Sequence, residues 1–380
     1  MAAGCRRYGV GAIWYLKTNF MRMRIAPWRQ VAAAAEWARG CCLEMEFMRI
    51  RITHGGCCRF EKEKNMDYLS YLNKNYPIRR SADQKAAFRN FALEEAKKAG
   101  LPAAEENDEE HVNLVIGSPE SAEVLFTAHY DTPRRALIPN LMLVTNKVLH
   151  WLYVIGIPLI MVAIALGCAF LILKWTGYES GGRVGRLIWF VSYVVTYFGL
   201  FFLLLYGPTN RNNFNDNTSG TAAVLELARR LQGDKKVAFI LFDDEEKGKK
   251  GSKAYAKAHP DVNETALVIN MDCVGNGKHF VVAPNKEARK TDLGNALGGA
   301  FENKDGYEAH VFPAEKISMN SDQKSFKRSA GVCATAKTKF VGYWTGRIHT
   351  KYDTVVSEDN IRYLCGALEG FARNYTQNKE

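Results

Sequence analysis

The 380-residue chain has no cysteine framework. Five of its nine cysteines, Cys5, Cys41, Cys42, Cys57 and Cys58, crowd the first 65 residues. The other four, Cys168, Cys273, Cys333 and Cys365, are scattered without a C-x-x-C pair. That excludes a disulfide-stapled secreted module and reads as free thiols in a reducing compartment. A clean signal peptide is missing too. Basic residues run through the N-terminal stretch, and the small residues at 32–35 follow no apolar segment. Neither an internal repeat nor a low-complexity tract is present.

Positive charge is plentiful but concentrated in one place. Of the net +11, the first 65 residues carry +7, from 12 Lys+Arg against 5 Asp+Glu, so the remaining 315 residues carry only +4. No nucleic-acid motif accompanies that charge, so nucleic acid is not expected as a partner. The break in composition sets residues 1–65 apart as an N-terminal extension, expected to be disordered or not native. Residues 31–48 could form a short helix within it. Hydrophobic residues make up 47% of the chain and charged residues 24%, which is ordinary globular composition. The length suits one large domain with appendages. A helical pattern opens that domain at Met66.

Two stretches lack charge altogether, residues 151–173 and 187–206. Each is near the ~20 residues a helix needs to cross a bilayer, and runs of this kind are rare in soluble cores. A short polar link containing paired glycines joins them. Residues 141–206 are therefore expected to be a transmembrane hairpin, making the protein an integral membrane protein with the lipid bilayer as a partner. Basic residues at the outer ends and in the link nearly balance. Arg134 and Arg135, with the free cysteines, favour a cytoplasmic catalytic domain.

Outside the hairpin, residues 66–140 and 207–380 alternate strand-like and helix-like segments. The fold class is α/β, with a mixed, mostly parallel central sheet flanked by helices. Polar residues fall at the ends of the apolar strands. His129 and Asp131 follow one strand in TAHYDTP, Glu245 and Glu246 another in LFDDEEKG, and Asp272 a third in INMDCVG. Asp216 precedes a helix in NFNDNTSG, and His349 sits in RIHTKYDT. In α/β sheets, ligands collect beyond the carboxyl ends of strands. Taken singly, each segment also has a plain structural use: an exposed strand-end acid, a solvated charge run, or an Asx turn capping a helix. Their joint occurrence points to a metal site, and two histidines with three carboxylates suit zinc.

The ordered set TAHYDTP, NDNTSGTAAVLELAR, FDDEEKGKKGS, NMDCVG, SDQKSF and HTKYDTVV resembles metallopeptidase family 28, the di-zinc aminopeptidases of clan MH. The resemblance implies two zinc ions. His129 and Asp272 would hold one, Glu246 and His349 the other, with Asp216 between them. Asp131 would orient a histidine ligand, and Glu245 would be the general base for hydrolysis of N-terminal residues from a peptide substrate. Two departures stand out. Gln323 occupies a position where the family often has histidine, which puts substrate contacts in doubt. Asp216 lies 87 residues after His129 because the hairpin is inserted between them. Such an insertion is tolerable if its ends emerge together. Two further readings share the fold, a non-catalytic membrane receptor or scaffold and a zinc-dependent glutaminyl cyclase.

Overall fold

The structure is a computed structural model and describes residues 48–52, 58–62, 66–108, 111–136 and 138–377. Most of the N-terminal extension, and with it the short helix expected there, lies outside the described residues. What is described of it is an antiparallel strand pair, β1 (Met48–Ile52) and β2 (Cys58–Lys62). It belongs to a unit separate from the one that begins at Asp67.

That second unit opens with helices α1 (Tyr68–Asn75) and α2 (Ala82–Lys98). Ser81 and Gln84 form a reciprocal capping box at the start of α2, satisfying two backbone donors that the helix itself cannot pair. The strands β3 (Ala103–Asp108), β4 (His111–Ile116) and β5 (Val124–His129) follow, then the two-residue β6 (Met142–Leu143). Next come the long helices α3 (Lys147–Thr176) and α4 (Arg183–Leu205). The remainder runs α5 (Gly220–Arg230), β7 (Val237–Phe242), α6 (Lys250–Ala258), α7 (Pro260–Thr265), β8 (Leu267–Met271) and β9 (His279–Pro284). It ends with α8 (Asp292–Gly299), β10 (Glu308–Val311), β11 (Ser329–Thr338), β12 (Gly342–Thr345) and α9 (Glu358–Gln377).

Eight strands lie in the order β10–β9–β11–β8–β5–β7–β4–β3, and β12 joins the end of β11 and carries β6. The central four, β11, β8, β5 and β7, are mutually parallel. Strands β5, β7 and β8 are buried along their whole length, which explains their uninterrupted apolar sequences. Phe242, Leu125, Val268, Tyr255 and Phe326 form a core on one side of this centre. Because β7 and β8 flank β5 on opposite sides, the carboxyl end of β5 is a point where connections diverge, and a crevice opens there.

The α3–α4 pair is built differently. Asn146 caps α3 by accepting from Leu149 N–H, and Gly177 ends it in the left-handed region at φ 72°. Met161, Ala165, Ala169 and Leu173 are its buried positions, a ridge at four-residue spacing whose two central alanines let α3 pack closely on a neighbour. Both helices are long and apolar enough to cross a membrane, and Leu152, Leu159, Leu187 and Val195 stand exposed on them. The ends of the insertion meet. Arg134 and Thr209 form an antiparallel bridge, and Arg135 N–H donates to Pro208 O at 2.9 Å. The insertion therefore leaves the strand–helix frame continuous on either side.

Candidate metal centre

Each candidate residue lies at or within a few residues of the end of a strand or the start of a helix. His129 is the last residue of β5. Asp272 follows β8 directly, and Glu245 and Glu246 sit three and four residues past the end of β7. Asp216 lies in the turn before α5. His349 lies in the loop after β12.

The segment NDNTSG binds that turn to the end of β8. Asn217 Oδ1 accepts from Gly220 and Cys273 N–H (3.0 and 3.3 Å), and its amide donates to Met271 O at 2.9 Å. Asn215 Oδ1 accepts from Gly275 N–H at 2.8 Å, and Ser219 Oγ accepts from Val274 N–H at 3.0 Å. Thr221 Oγ1 donates to His129 O, tying α5 to β5. The run DDEE divides its labour. Asp243 and Asp244 turn away to Lys85 of α2 (2.6 and 2.5 Å), leaving Glu245 and Glu246 to face the crevice. Three residues beside the ligands have left-handed backbones: Asp244 (φ 52°), Cys273 (φ 57°) and His349 itself (φ 59°). Non-glycine residues adopt that region only under constraint, and such residues gather at functional sites.

The donor atoms converge in two groups that share Asp216. Its Oδ1 is 3.5 Å from His129 Nε2, and its Oδ2 is 3.0 Å from His349 Nε2. Asp272 Oδ1 is 3.9 Å from His129 Nε2, and Glu246 Oε1 is 3.4 Å from His349 Nε2. The groups His129–Asp216–Asp272 and Asp216–Glu246–His349 are each compact enough to hold one metal ion. Glu245 lies against His129 and Glu246. Asp131 sits behind them. Its carboxylate accepts from Glu245 N–H (3.0 Å) and Glu246 N–H (3.2 Å), and Oδ1 is 3.3 Å from His129 Nδ1.

The electrostatics fit a bound cation. Burial works against a charged His129, but Asp131, Asp216 and Asp272 outweigh it and hold its pKa well above the ordinary value. His349 is raised in the same way by Glu246 and Asp216 against burial. Burial pushes Glu245 well above the usual carboxylate range, opposed by His129 and reinforced by Asp322, Glu246 and Asp272. Glu246 Oε1 and Asp272 Oδ1 are buried and have no hydrogen-bond partner among the described residues. Buried carboxylate oxygens left in this state are costly unless a cation meets them.

Residues without an assigned role in the sequence also matter. Asp353, in HTKYDT, accepts the backbone N–H of Asn215 (3.1 Å) and Asp216 (3.0 Å), which fixes the shared carboxylate. Arg79, fully buried, donates to Tyr130 O and to Thr218 Oγ1, clamping the turn after β5 to the turn before α5. Asp322, in SDQKSF, is buried beside the site, and burial raises it to about 7. The neighbouring Gln323 accepts from Asn270 Nδ2 at 3.0 Å and is 5% exposed, so its amide is engaged with β8.

Residues 207–363 match the model of Peptidase family M28. No curated protein matches the chain. Among solved structures, the Porphyromonas gingivalis glutaminyl cyclase is similar at 12% identity and TM-score 0.52, over 81% of this chain and 97% of that one. The Legionella pneumophila LapA aminopeptidase aligns at 14% identity and TM-score 0.47, over 81% of this chain and 70% of that one. A leucine aminopeptidase precursor from Bacteroides thetaiotaomicron aligns at 14% identity and TM-score 0.48, over 81% and 94%. The motifs, the strand-end placement of their residues and the match over residues 207–363 agree that this chain resembles peptidase family M28.

Proposed function

We propose that the protein is a zinc-dependent exopeptidase that removes N-terminal residues from peptides. One observation carries the reading: the two oxygens of Asp216 address two different histidines, each with its own further carboxylate. His129 and Asp272 would hold one ion and Glu246 and His349 the other, with Asp216 common to both. Zinc bound in such a cradle supplies Lewis acidity and a water of lowered pKa. The protein's own contribution is positional. Glu245, beside His129 and Glu246, accepts the proton of the attacking water and returns it to the leaving amine. Asp131 fixes Glu245, Glu246 and His129 at once through its two oxygens.

The helices α3 and α4 are proposed as a membrane-spanning hairpin, with the peptidase domain on the cytoplasmic side. At ~1.5 Å per residue, helices of 30 and 23 residues exceed the ~30 Å hydrocarbon core. Cysteine labelling of the link at 177–182 tests orientation; modification from the cytoplasmic side would reverse it.

Hydrolysis of aminoacyl chromogenic substrates by the zinc-loaded protein tests the activity. Chelator should abolish it, and Glu245→Gln should lower kcat by roughly 10²–10⁴ while zinc content stays unchanged. The panel includes a substrate with N-terminal glutamine. Ammonia release without a freed amino acid would replace the peptidase reading by a cyclase. Folded, zinc-loaded protein inert on the whole panel would favour a receptor.

A further inference from the structure

Strands β9 and β10, on the far side of the sheet from β7, carry a second cluster of metal-ligating side chains. In their parallel register Glu308 is level with His279, and His310 is two residues further on. All three side chains therefore leave the same face of the sheet. His279 Nδ1 is 3.3 Å from His310 Nε2, and Glu308 Oε2 is 3.4 Å from each of those nitrogens. Hydrogen bonding alone cannot satisfy this triangle. The carboxylate brings no proton and each neutral ring nitrogen at most one, so at most two of the three contacts can be hydrogen bonds. A cation at the centre satisfies all three.

The donor types indicate which cation. Zinc binds nitrogen and oxygen at about 2.0–2.1 Å, and two ligands at the tetrahedral angle are then about 3.3 Å apart. An octahedral face with bonds of ~2.1 Å has edges of only about 3.0 Å. The 3.3, 3.4 and 3.4 Å edges are compatible with tetrahedral zinc, and two imidazole nitrogens with one carboxylate oxygen are donors that suit that ion. The rings are held in place. Tyr343 of β12 packs on His310 with centroids 4.6 Å apart and on His279 at 5.7 Å. Thr335 Oγ1 donates to His279 O at 2.7 Å, anchoring the start of β9. Strand β9 is two strands from β8, or roughly 10 Å along the sheet, and the cluster shares no residue with the Asp216 centre.

We propose that His279, Glu308 and His310 form a separate zinc site. It has three protein ligands and a fourth position open on the side of Glu308, and it fastens the edge strand β10 to β9. The site stands independently of the peptidase reading.

Histidine modification by diethyl pyrocarbonate tests it in the unaltered full chain, with peptide mass spectrometry reading each histidine. His259 is the control, because its side chain is 25% exposed against 23% for His279 and 22% for His310. Zinc alone, at about ten times its dissociation constant, should slow modification of His279 and His310 roughly tenfold and leave His259 unchanged. In parallel, His279→Gln with His310→Gln should lose one equivalent of bound zinc while hydrolysis of aminoacyl substrates continues. Equal modification of His279 and His310 with and without zinc would overturn the proposal, whether or not the variant folds. Unchanged zinc content in a folded variant would overturn it equally.

Discussion

Replacing Asp131 by asparagine is the sharpest test of how the candidate centre is assembled. The substitution keeps shape but leaves one acceptor where there were two. Oδ1 and Oδ2 accept from Glu245 N–H at 3.0 Å and Glu246 N–H at 3.2 Å, and Oδ1 also lies 3.3 Å from His129 Nδ1. In Asp131→Asn one backbone N–H faces an amide NH₂ and goes unpaired, and the other loses its charged acceptor. Hydrogen bonds to a charged group contribute about 1.5–3 kcal/mol and a neutral one about 1 kcal/mol. The expected loss of stability is therefore about 2–5 kcal/mol, measured by denaturant unfolding. The catalytic effect is separable. Loosening the backbone of Glu245 and Glu246 displaces the base and one ligand together, and misplacement by ~1 Å costs on the order of 10²-fold. Substitutions behind metal ligands cost 10–100-fold in general. With zinc saturating, kcat should fall by about 30–100-fold while KM changes far less, the pattern of an interaction that acts in the transition state. A folded Asp131→Asn protein whose kcat stays within about threefold of the parent would refute the positioning argument.

Gly220→Ala should destabilise the protein by roughly 3 kcal/mol or more, because its Cβ would lie 2.3 Å from Met271 O and 2.4 Å from Asn217 Oδ1; thermal unfolding reads this. Replacing residues 147–205 by about six Gly/Ser residues should yield a detergent-independent protein with unchanged zinc content, since neighbouring helix ends lie ~10 Å apart and the Arg134–Thr209 bridge remains. Aggregation or zinc loss in that variant would show that the hairpin is part of the fold. Glu226 gives an acid-side signature. Burial works against its carboxylate, but Arg229 and Arg230 outweigh that and lower its pKa below 4.5. Its stabilising contribution is complete above that ordinary value and disappears as pH falls through the lowered one. Glu226→Gln should therefore flatten the loss of Tm across that window, and an unchanged slope would remove Glu226 as a contributor.

The candidate centre was legible because its residues are contiguous with element ends. A buried parallel strand reads as an unbroken apolar run, so VLFTAH, VAFILF and LVINM announce both themselves and the polar residue that follows. Other residues act through the backbone or through distant partners, and a single chain carries no mark of that. Asp353 works by accepting two N–H groups 137 and 138 residues away. Arg79 works through Tyr130 O and Thr218. The halves of DDEE differ because distant partners claim the first two acids: Lys85, 158 residues upstream of Asp243, binds both, and His111 binds Asp244. Strand β3, AAEEND, has almost no strand propensity and forms because it pairs with β4 at the sheet edge. The His279–Glu308–His310 cluster was hidden for the same reason, being a product of the β9–β10 register rather than of local spacing.

An 87-residue separation between two metal ligands looks hazardous until the junction is considered. The entering chain is fastened on two sides within three residues: Arg134 pairs with Thr209, Arg135 with Pro208, and Ala136 N–H donates to His349 O at 2.7 Å. The last contact is the telling one, because it makes the foot of the hairpin a backbone neighbour of a candidate ligand. Strand β6 then pairs with β12, and β12 carries the Tyr343 ring that packs on His310. The foot of the hairpin thus leads to each cluster by its own short path, one through a hydrogen bond and one through a strand pair. Loop closure grows only slowly with length, so 53 inserted helical residues and their six-residue link cost little once these contacts hold the ends. The demand they impose is positional. With α3 and α4 seated in a bilayer, these contacts would hold the crevice around Asp216 close to its surface.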